Sequence, residues 1–326
     1  MGTSTIVQYV SSLRKPSIPL AVPILLVYLA AGVFLVPEFL SISNITSILF
    51  SAAVLLPAVA GTQLLLVLGR FDLSIGATAS LSGMIAGLAL GFYGSLTVAV
   101  CSGLIVGVVV GWACGSLVSY LRVDPLVATL AVMGIVRSLS LVVNSGQIVS
   151  GLPESFGWIT EARLTGIPVL ILFVILFTGI ATVVTKHAVL FRRFYAVGNN
   201  AIAASHAGVN VTRLVTLGYI LAGLGAALTG LIQVSRTRSA SPLIFDTLAL
   251  EAIAACMIGG SSLSGGRGNI LGASIGLIVL IATRNLVVML GVTIFWKDFT
   301  TGILLLLAVV GRPLVEALRK RFSKQR

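Results

Sequence analysis

The sequence predicts an all-α, polytopic membrane protein with about ten transmembrane helices and both termini on the cytoplasmic side. Three observations carry this. Of 326 residues, 57% are hydrophobic and 9% charged, where a soluble domain carries roughly 25% charged residues. So few charges cannot cover a water-facing surface, and the mean hydropathy is +1.12. The apolar runs are about 17–25 residues long, which spans a bilayer as helix, and they lack the alternation of barrel strands. Lysine and arginine also gather on one set of connections.

The spans follow in chain order. The first runs from Pro19 to Val36, and Pro37–Asn44 links it to Ile45–Leu68. The turn Gly69-Arg70-Phe71-Asp72 leads to Leu73–Phe92, then Ser95–Tyr120. Arg122-Val123-Asp124-Pro125 opens Leu126–Val143, and a long polar loop reaches Gly166. Ile167–Thr185, a polar segment Lys186–Arg213 and Leu214–Val234 come next. A loop Ser235–Asp246 precedes a short span, Thr247–Ile258. The glycine-rich turn Gly259–Asn269 leads to Ile270–Leu290, and the last span is Phe299–Val310 before a basic tail. With the N-terminus inside, fifteen Lys and Arg fall on cytoplasmic segments and four (Arg163, Arg236, Arg238, Lys297) on outer ones. That bias fixes the orientation by the positive-inside rule.

The net charge of +12 is spread between apolar runs, so we read it as topology and expect no nucleic-acid partner. Cys101, Cys114 and Cys256 sit inside apolar runs without metal-ligand spacing. They read as small core residues, and no metal or cofactor is expected. The first apolar run is too long for a signal h-region and reads as a retained span. No polar segment is long enough to bury a core, so the whole chain 1–326 is one transmembrane domain.

Gly103, Gly107, Gly111 and Gly115 recur every fourth residue on the fourth span. Lipid gives helices no hydrophobic reason to associate, so close backbone approach carries the packing. These four are therefore expected against another helix, and Gly83, Gly87 and Gly91 repeat the pattern one span earlier.

Absences narrow the chemistry. There is no Gly-x-x-x-x-Gly-Lys-Ser/Thr loop, so the chain lacks the usual ATP site. No nucleophile–base arrangement is evident, and the chain does not read as an enzyme. Arg137 and Arg284 lie within spans, where an arginine costs roughly 2.5–3.5 kcal/mol at the helix centre. Each either lines a polar translocation path, or else snorkels or pairs with a loop carboxylate. Asn285 adjoins Arg284, and Glu251 is either a path residue or a helix-start carboxylate.

The segment 191–210 is distinctive. Asn199 or Asn200 can cap a short helix, Ala201–Ala207 favours helix, and Gly208 fits its C′ position. Such a helix lies outside the membrane and can enter a groove on a partner.

At this segment the chain resembles the permease subunits of bacterial ABC importers of the ribose/xylose/simple-sugar group. Gly69–Gly76 is similar to the family's Gly-Gly-Ile-Asp-Leu-Ser-Val-Gly, with departures at Arg70 and Phe71. Asp124–Leu130 resembles Pro-Ser-Phe-Ile-Ala-Thr-Leu. Tyr195–Val211 follows Ala-Val-Gly-Gly-Asn-x-x-Ala-Ala-x-x-x-Gly-Ile-Asn-Val, with Asn199 in place of the second glycine. Ser235–Ala255 and Gly259–Gly268 match two further motifs, with Glu251 near an acidic position.

The resemblance implies a multi-pass protein of the bacterial inner membrane carrying a monosaccharide. It implies a second permease subunit, identical or not, cytoplasmic ATPase subunits and a periplasmic solute-binding protein. Gly198, Asn199, Asn200, Ala203, Ala204 and Gly208 would then belong to the segment that docks on the ATPase. Arg137, Glu251, Arg284 and Asn285, the polar residues within spans, are the candidates for the translocation path. A polyol, a furanone-like autoinducer signal, a nucleoside or an amino acid are alternative cargoes, and an ion-coupled secondary carrier is the alternative of another class.

Overall fold

The computed structural model describes residues 36–306, apart from 154, 155, 158, 159, 161, 294, 295, 297 and 298, together with 27, 30, 32, 34 and 35. The first predicted span lies almost wholly outside these residues, and the last is described only to Leu306.

Ten α-helices are bounded among the described residues: α1 Ile42–Val67, α2 Ile75–Tyr93, α3 Leu96–Ser119, α4 Pro125–Val142, α5 Val169–His187, α6 Val189–Asn199, α7 Ala201–His206, α8 Val211–Thr237, α9 Leu248–Ile258 and α10 Ile270–Met289. Seven of them (α1–α5, α8 and α10) are long and apolar enough to cross a membrane, and α9 is a shorter apolar helix. The expected count of ten spans therefore has seven described counterparts plus the short α9.

Caps explain the boundaries. Ser41 accepts from the Asn44 amide, Asp124 from Leu126, Asn210 from Arg213 and Asn269 from Gly272. Each satisfies an amide that the first helical turn leaves open. Capped by Asn210, α8 starts at Val211, three residues before the predicted Leu214, and runs three past Val234 to Thr237. The loop after α4 holds a two-stranded hairpin, β1 Arg163–Leu164 and β2 Ile167–Pro168, turned by Thr165 and Gly166 at φ 51° and 86°. Both residues of such a tight turn take positive φ.

Helix α8 packs against α3, α1 and α2, while α10 packs against α9 and α1. One apolar core joins α1 to α5, α9 and α10, and a second joins α1 and α8 to α2, α3 and α4. The glycine register of α3 lies on α8. A β-carbon on Gly103 would meet Leu231 at 2.9 Å, on Gly107 Ala227 at 2.7 Å, on Gly111 the Tyr219 carbonyl at 2.5 Å and on Gly115 Thr216 Cα at 2.9 Å. Gly83 meets Val234 and Gly230, whereas Gly91 faces open space. The two helices approach so closely because these positions carry no side chain.

The connections sort into two ends. At one, the Tyr195 hydroxyl donates to the Gly268 carbonyl (2.7 Å), and the Gly266 amide to the Val67 carbonyl (2.9 Å). At the other, Val149 and Ala240 bridge, and Ser140 donates to the Pro242 carbonyl (3.0 Å). Cys114 and Cys256 are buried, but Cys101 is exposed on α3, so the expectation of a core role fails there.

Candidate functional site: a polar cavity in the membrane helices

A cavity of about 410 Å³ opens between α1, α8, α9 and α10. Its walls come from the half of each helix near the end that carries the Val149–Ala240 bridge. Ser47 and Ser51 enter from α1, Gln233 and Arg236 from α8, Glu251 from α9, and Arg284 and Asn285 from α10, with Thr247 just ahead of α9.

Glu251 and Arg284 form its centre. Arg284 Nη2 donates to Glu251 Oε1 and Nη1 approaches Oε2, both at 2.7 Å. The Thr247 hydroxyl donates to the same Oε1 at 2.7 Å. The two side chains are 9% and 7% exposed, so each charge is tolerable in the bilayer only because of the other. The fork geometry uses two parallel hydrogen bonds, the arrangement in which arginine holds carboxylate best. Glu251 also lies in the first turn of α9, where the helix dipole favours an anion.

Asn285 Nδ2 donates to Asn44 Oδ1 (2.8 Å), and Asn44 Nδ2 to the Phe39 carbonyl (2.8 Å). This chain ties α10 to the start of α1. Ser47 and Ser51 donate to carbonyls one turn back in their own helix, leaving oxygen lone pairs for a solute. The cavity thus offers guanidinium and amide donors beside hydroxyl, amide and carboxylate acceptors.

Three of the four predicted path residues meet here: Glu251, Arg284 and Asn285. Arg137 does not. Its Nη2 donates to Asp246 Oδ2 at 2.8 Å in a half-exposed pair, which is pairing with a loop carboxylate. Asn44, Ser47 and Ser51 escaped the sequence reading. Their spacing of three and four places them on one helix face, and that polar stripe in an apolar run was the available signal. Gln233, Arg236 and Thr247 carried no local signal.

The other end holds the 191–210 segment. Asn200 is the cap of α7, accepting from the Ala203 amide at 2.9 Å, and Gly208 has φ 82°. Helix α6 precedes it and was not expected from sequence. Gly198 sits on the Val67 carbonyl and the Gly265–Gly266 turn, and Asn199 donates to the Tyr195 carbonyl (2.7 Å). Ala204 is buried with Val67, Leu68, Phe194, Val197 and Leu214. These residues join the segment to the membrane helices, whereas Ala203 is exposed and so is Ile202, at 73%. Burial pushes the Tyr195 phenol above its ordinary pKa.

Nearby, Asp72 is buried in the turn between α1 and α2. It accepts from the Ser74 amide (2.7 Å) and hydroxyl (2.6 Å). Burial pushes its pKa up to about 6 despite those two bonds.

Stacked apolar helices around a polar half-cavity, with a short polar-side helix at the far end, define a membrane transport permease. The chain belongs to the family described as branched-chain amino acid transport system / permease component, which it matches over residues 44–309. It is 34% identical to the ribose import permease of Escherichia coli strain K12 over 290 residues, covering 88% of this chain and 90% of that protein. It is 36% identical to the ribose import permease of Bacillus subtilis (84% of this chain, 86% of that protein). The autoinducer 2 import system permease of Salmonella typhi is 30% identical over 321 residues, 98% of this chain and 91% of that one. No solved structure matches the chain. The protein is a multi-pass permease of the bacterial inner membrane.

Proposed function

We propose that the chain is the permease subunit of an ABC importer for a monosaccharide, and that the cavity around Glu251 and Arg284 is the outward half of its path. The observation that carries this is the clustering of donors and acceptors there. A sugar presents adjacent hydroxyls that both donate and accept, and a forked carboxylate–guanidinium pair matches them on both counts. The similarity to ribose permeases over most of the chain supports the same reading.

Orientation follows from charge. Among the described residues Arg70, Arg122, Lys186, Arg192, Arg193, Arg213 and Arg267 lie at the end holding α6 and α7, and Arg163, Arg236 and Arg238 at the other. By the positive-inside rule the first is cytoplasmic, and ten spans with both termini inside complete the topology. Residues 191–210 then form the coupling segment, with Ile202 and Ala203 turned to cytoplasmic ATPase subunits. A second permease subunit and a periplasmic binding protein complete the importer. ATP binding moves α6 and α7, which act on the 259–269 turn through Tyr195 and Gly268, and this turn joins α9 to α10. The cavity thereby closes outward and opens inward.

Similarity to autoinducer 2 permeases supports a second cargo, a small poly-oxygenated signal that suits the same cavity. An ion-coupled carrier is disfavoured. The described membrane helices hold one carboxylate, Glu251, and Arg284 already occupies it.

The test is uptake of labelled pentoses, hexoses and a polyol in cells lacking the chain and then complemented with it. Restored uptake of one sugar that survives a protonophore but stops on ATP depletion is expected. Uptake that collapses with the protonophore while ATP is maintained would overturn the importer reading.

A further inference from the structure

A second polar cavity, of about 470 Å³, lies at the end that carries α6 and α7 and shares no residue with the one around Glu251. Arg70 lines it from the α1–α2 turn and Arg122 from the turn after α3, with Ser119 and Thr212 also in its wall; the Ser119 hydroxyl shares a hydrogen bond with that of Thr216 (2.7 Å). Arg70 is one of the two places where its turn departs from the pattern it otherwise resembles. Its Nε is buried and makes no hydrogen bond, and neither arginine forms an ion pair among the described residues. Two guanidinium groups share this recess with one carboxylate, Asp124, which leaves a net positive charge that an anion relieves. Arg122 is also held at φ 57°, a left-handed backbone that an L-residue adopts at a cost and glycine freely. Such strain persists where the side chain has a use.

The surroundings name the anion. Tyr120, Leu121, Leu126 and Val127 stand exposed around the same turn, beside helices that cross the bilayer. The recess therefore sits where phosphate groups meet acyl chains, with a tyrosine at headgroup level. Its floor of Val118, Val123 and Val215 is apolar. We propose that Arg70 and Arg122 bind a phosphate group, carried by an anionic phospholipid of the cytoplasmic leaflet. Basic recesses between membrane helices on that side suit such headgroups. Asp124 also lines the cavity. Its Oδ1 accepts from the Leu126 amide at 2.9 Å to cap α4, and its charge offsets part of that of the two arginines.

Native mass spectrometry of the purified full chain, titrated with phosphatidylglycerol or phosphatidylcholine, tests this. Phosphatidylglycerol should bind at least about tenfold more tightly, and each arginine removed should cost roughly fivefold. Arg70→Lys keeps the charge and should keep the preference. Arg122→Gly relieves the backbone strain, so it should fold at least as well while binding less. Asp124→Asn still caps α4 and should bind more tightly, a direction that damage to the fold cannot produce. Inorganic phosphate distinguishes the sources. If it stabilises the lipid-free protein at millimolar concentration, and Arg122→Gly abolishes this, the anion site stands with a free phosphate as its occupant. Equal binding of the two lipids without any phosphate effect, or a preference that survives Arg70→Gln with Arg122→Gly, overturns the proposal.

Discussion

Glu251 and Arg284 are two charges that the bilayer would not tolerate singly. Removing one partner leaves the other buried without its counter-charge, which costs about 3–5 kcal/mol. Glu251→Ala should therefore lower thermal stability in detergent sharply, whereas Glu251→Met with Arg284→Met should recover most of it and still fail to support uptake. Recovered uptake in the double variant would make the pair structural only. Asp72 makes a different prediction. Its carboxyl titrates near 6 when folded against an ordinary 3.8, so the folded state holds its proton more tightly. That contribution is fully present below about pH 4 and is lost as pH rises through 6, an effect of about 3 kcal/mol. Asp72→Asn keeps an acceptor for Ser74 and should flatten this part of the stability–pH curve; an unchanged slope would place its origin elsewhere. The ionisable residues inside spans were visible in the sequence because they are so costly there. Their pairing was not, since Glu251 and Arg284 are far apart in the chain and only the fold of α9 against α10 joins them.

The α3–α8 contact was half legible. A strict four-residue glycine repeat announces a close approach, but not its partner, because α8 supplies Gly223, Ala227 and Thr216 without any such repeat in register. Gly107→Val should press on Ala227 and the Gly223 carbonyl and cost about 1–3 kcal/mol by overpacking. Gly91→Ala meets nothing within 4 Å and should be neutral or slightly stabilising. Thermal unfolding of both variants compares them directly, and equal effects would contradict a packing role for the register. Helix α6 was illegible for a plain reason. Its Arg192-Arg193 pair reads as polar loop, while burial of Phe194 and Val197 against Leu68 and Leu214 is tertiary. The same contacts include Ala204 of α7. Ala204 is a packing residue, so Ala204→Glu should damage the fold itself. Ile202→Glu should leave the fold intact and lower uptake at least about tenfold, the loss expected when an interface anchor is removed. Normal uptake by a well-assembled Ile202→Glu variant would detach α7 from the coupling role.

Across the whole molecule, the proposed direction rests on charge and the proposed route on polarity. Apolar length and the Lys/Arg bias were enough to read a polytopic helical protein, because lipid allows few alternatives to a continuous helix. The cavity was not readable as a volume, since it is bounded by four helices and its outer wall includes Gln233 and Arg236, which no spacing rule links to Glu251. The proposed function depends on one arrangement: a cavity open to the outside and a small-residue helix facing the ATPase. Single cysteines at Ser51, in the cavity wall, and at Ser205, on α7, report on it in intact cells through a membrane-impermeant maleimide. Ser51→Cys should react from outside, and Ser205→Cys only after the membrane is permeabilised. Reaction of Ser205→Cys in sealed cells, with Ser51→Cys protected until they are opened, would invert the orientation and contradict the proposed path.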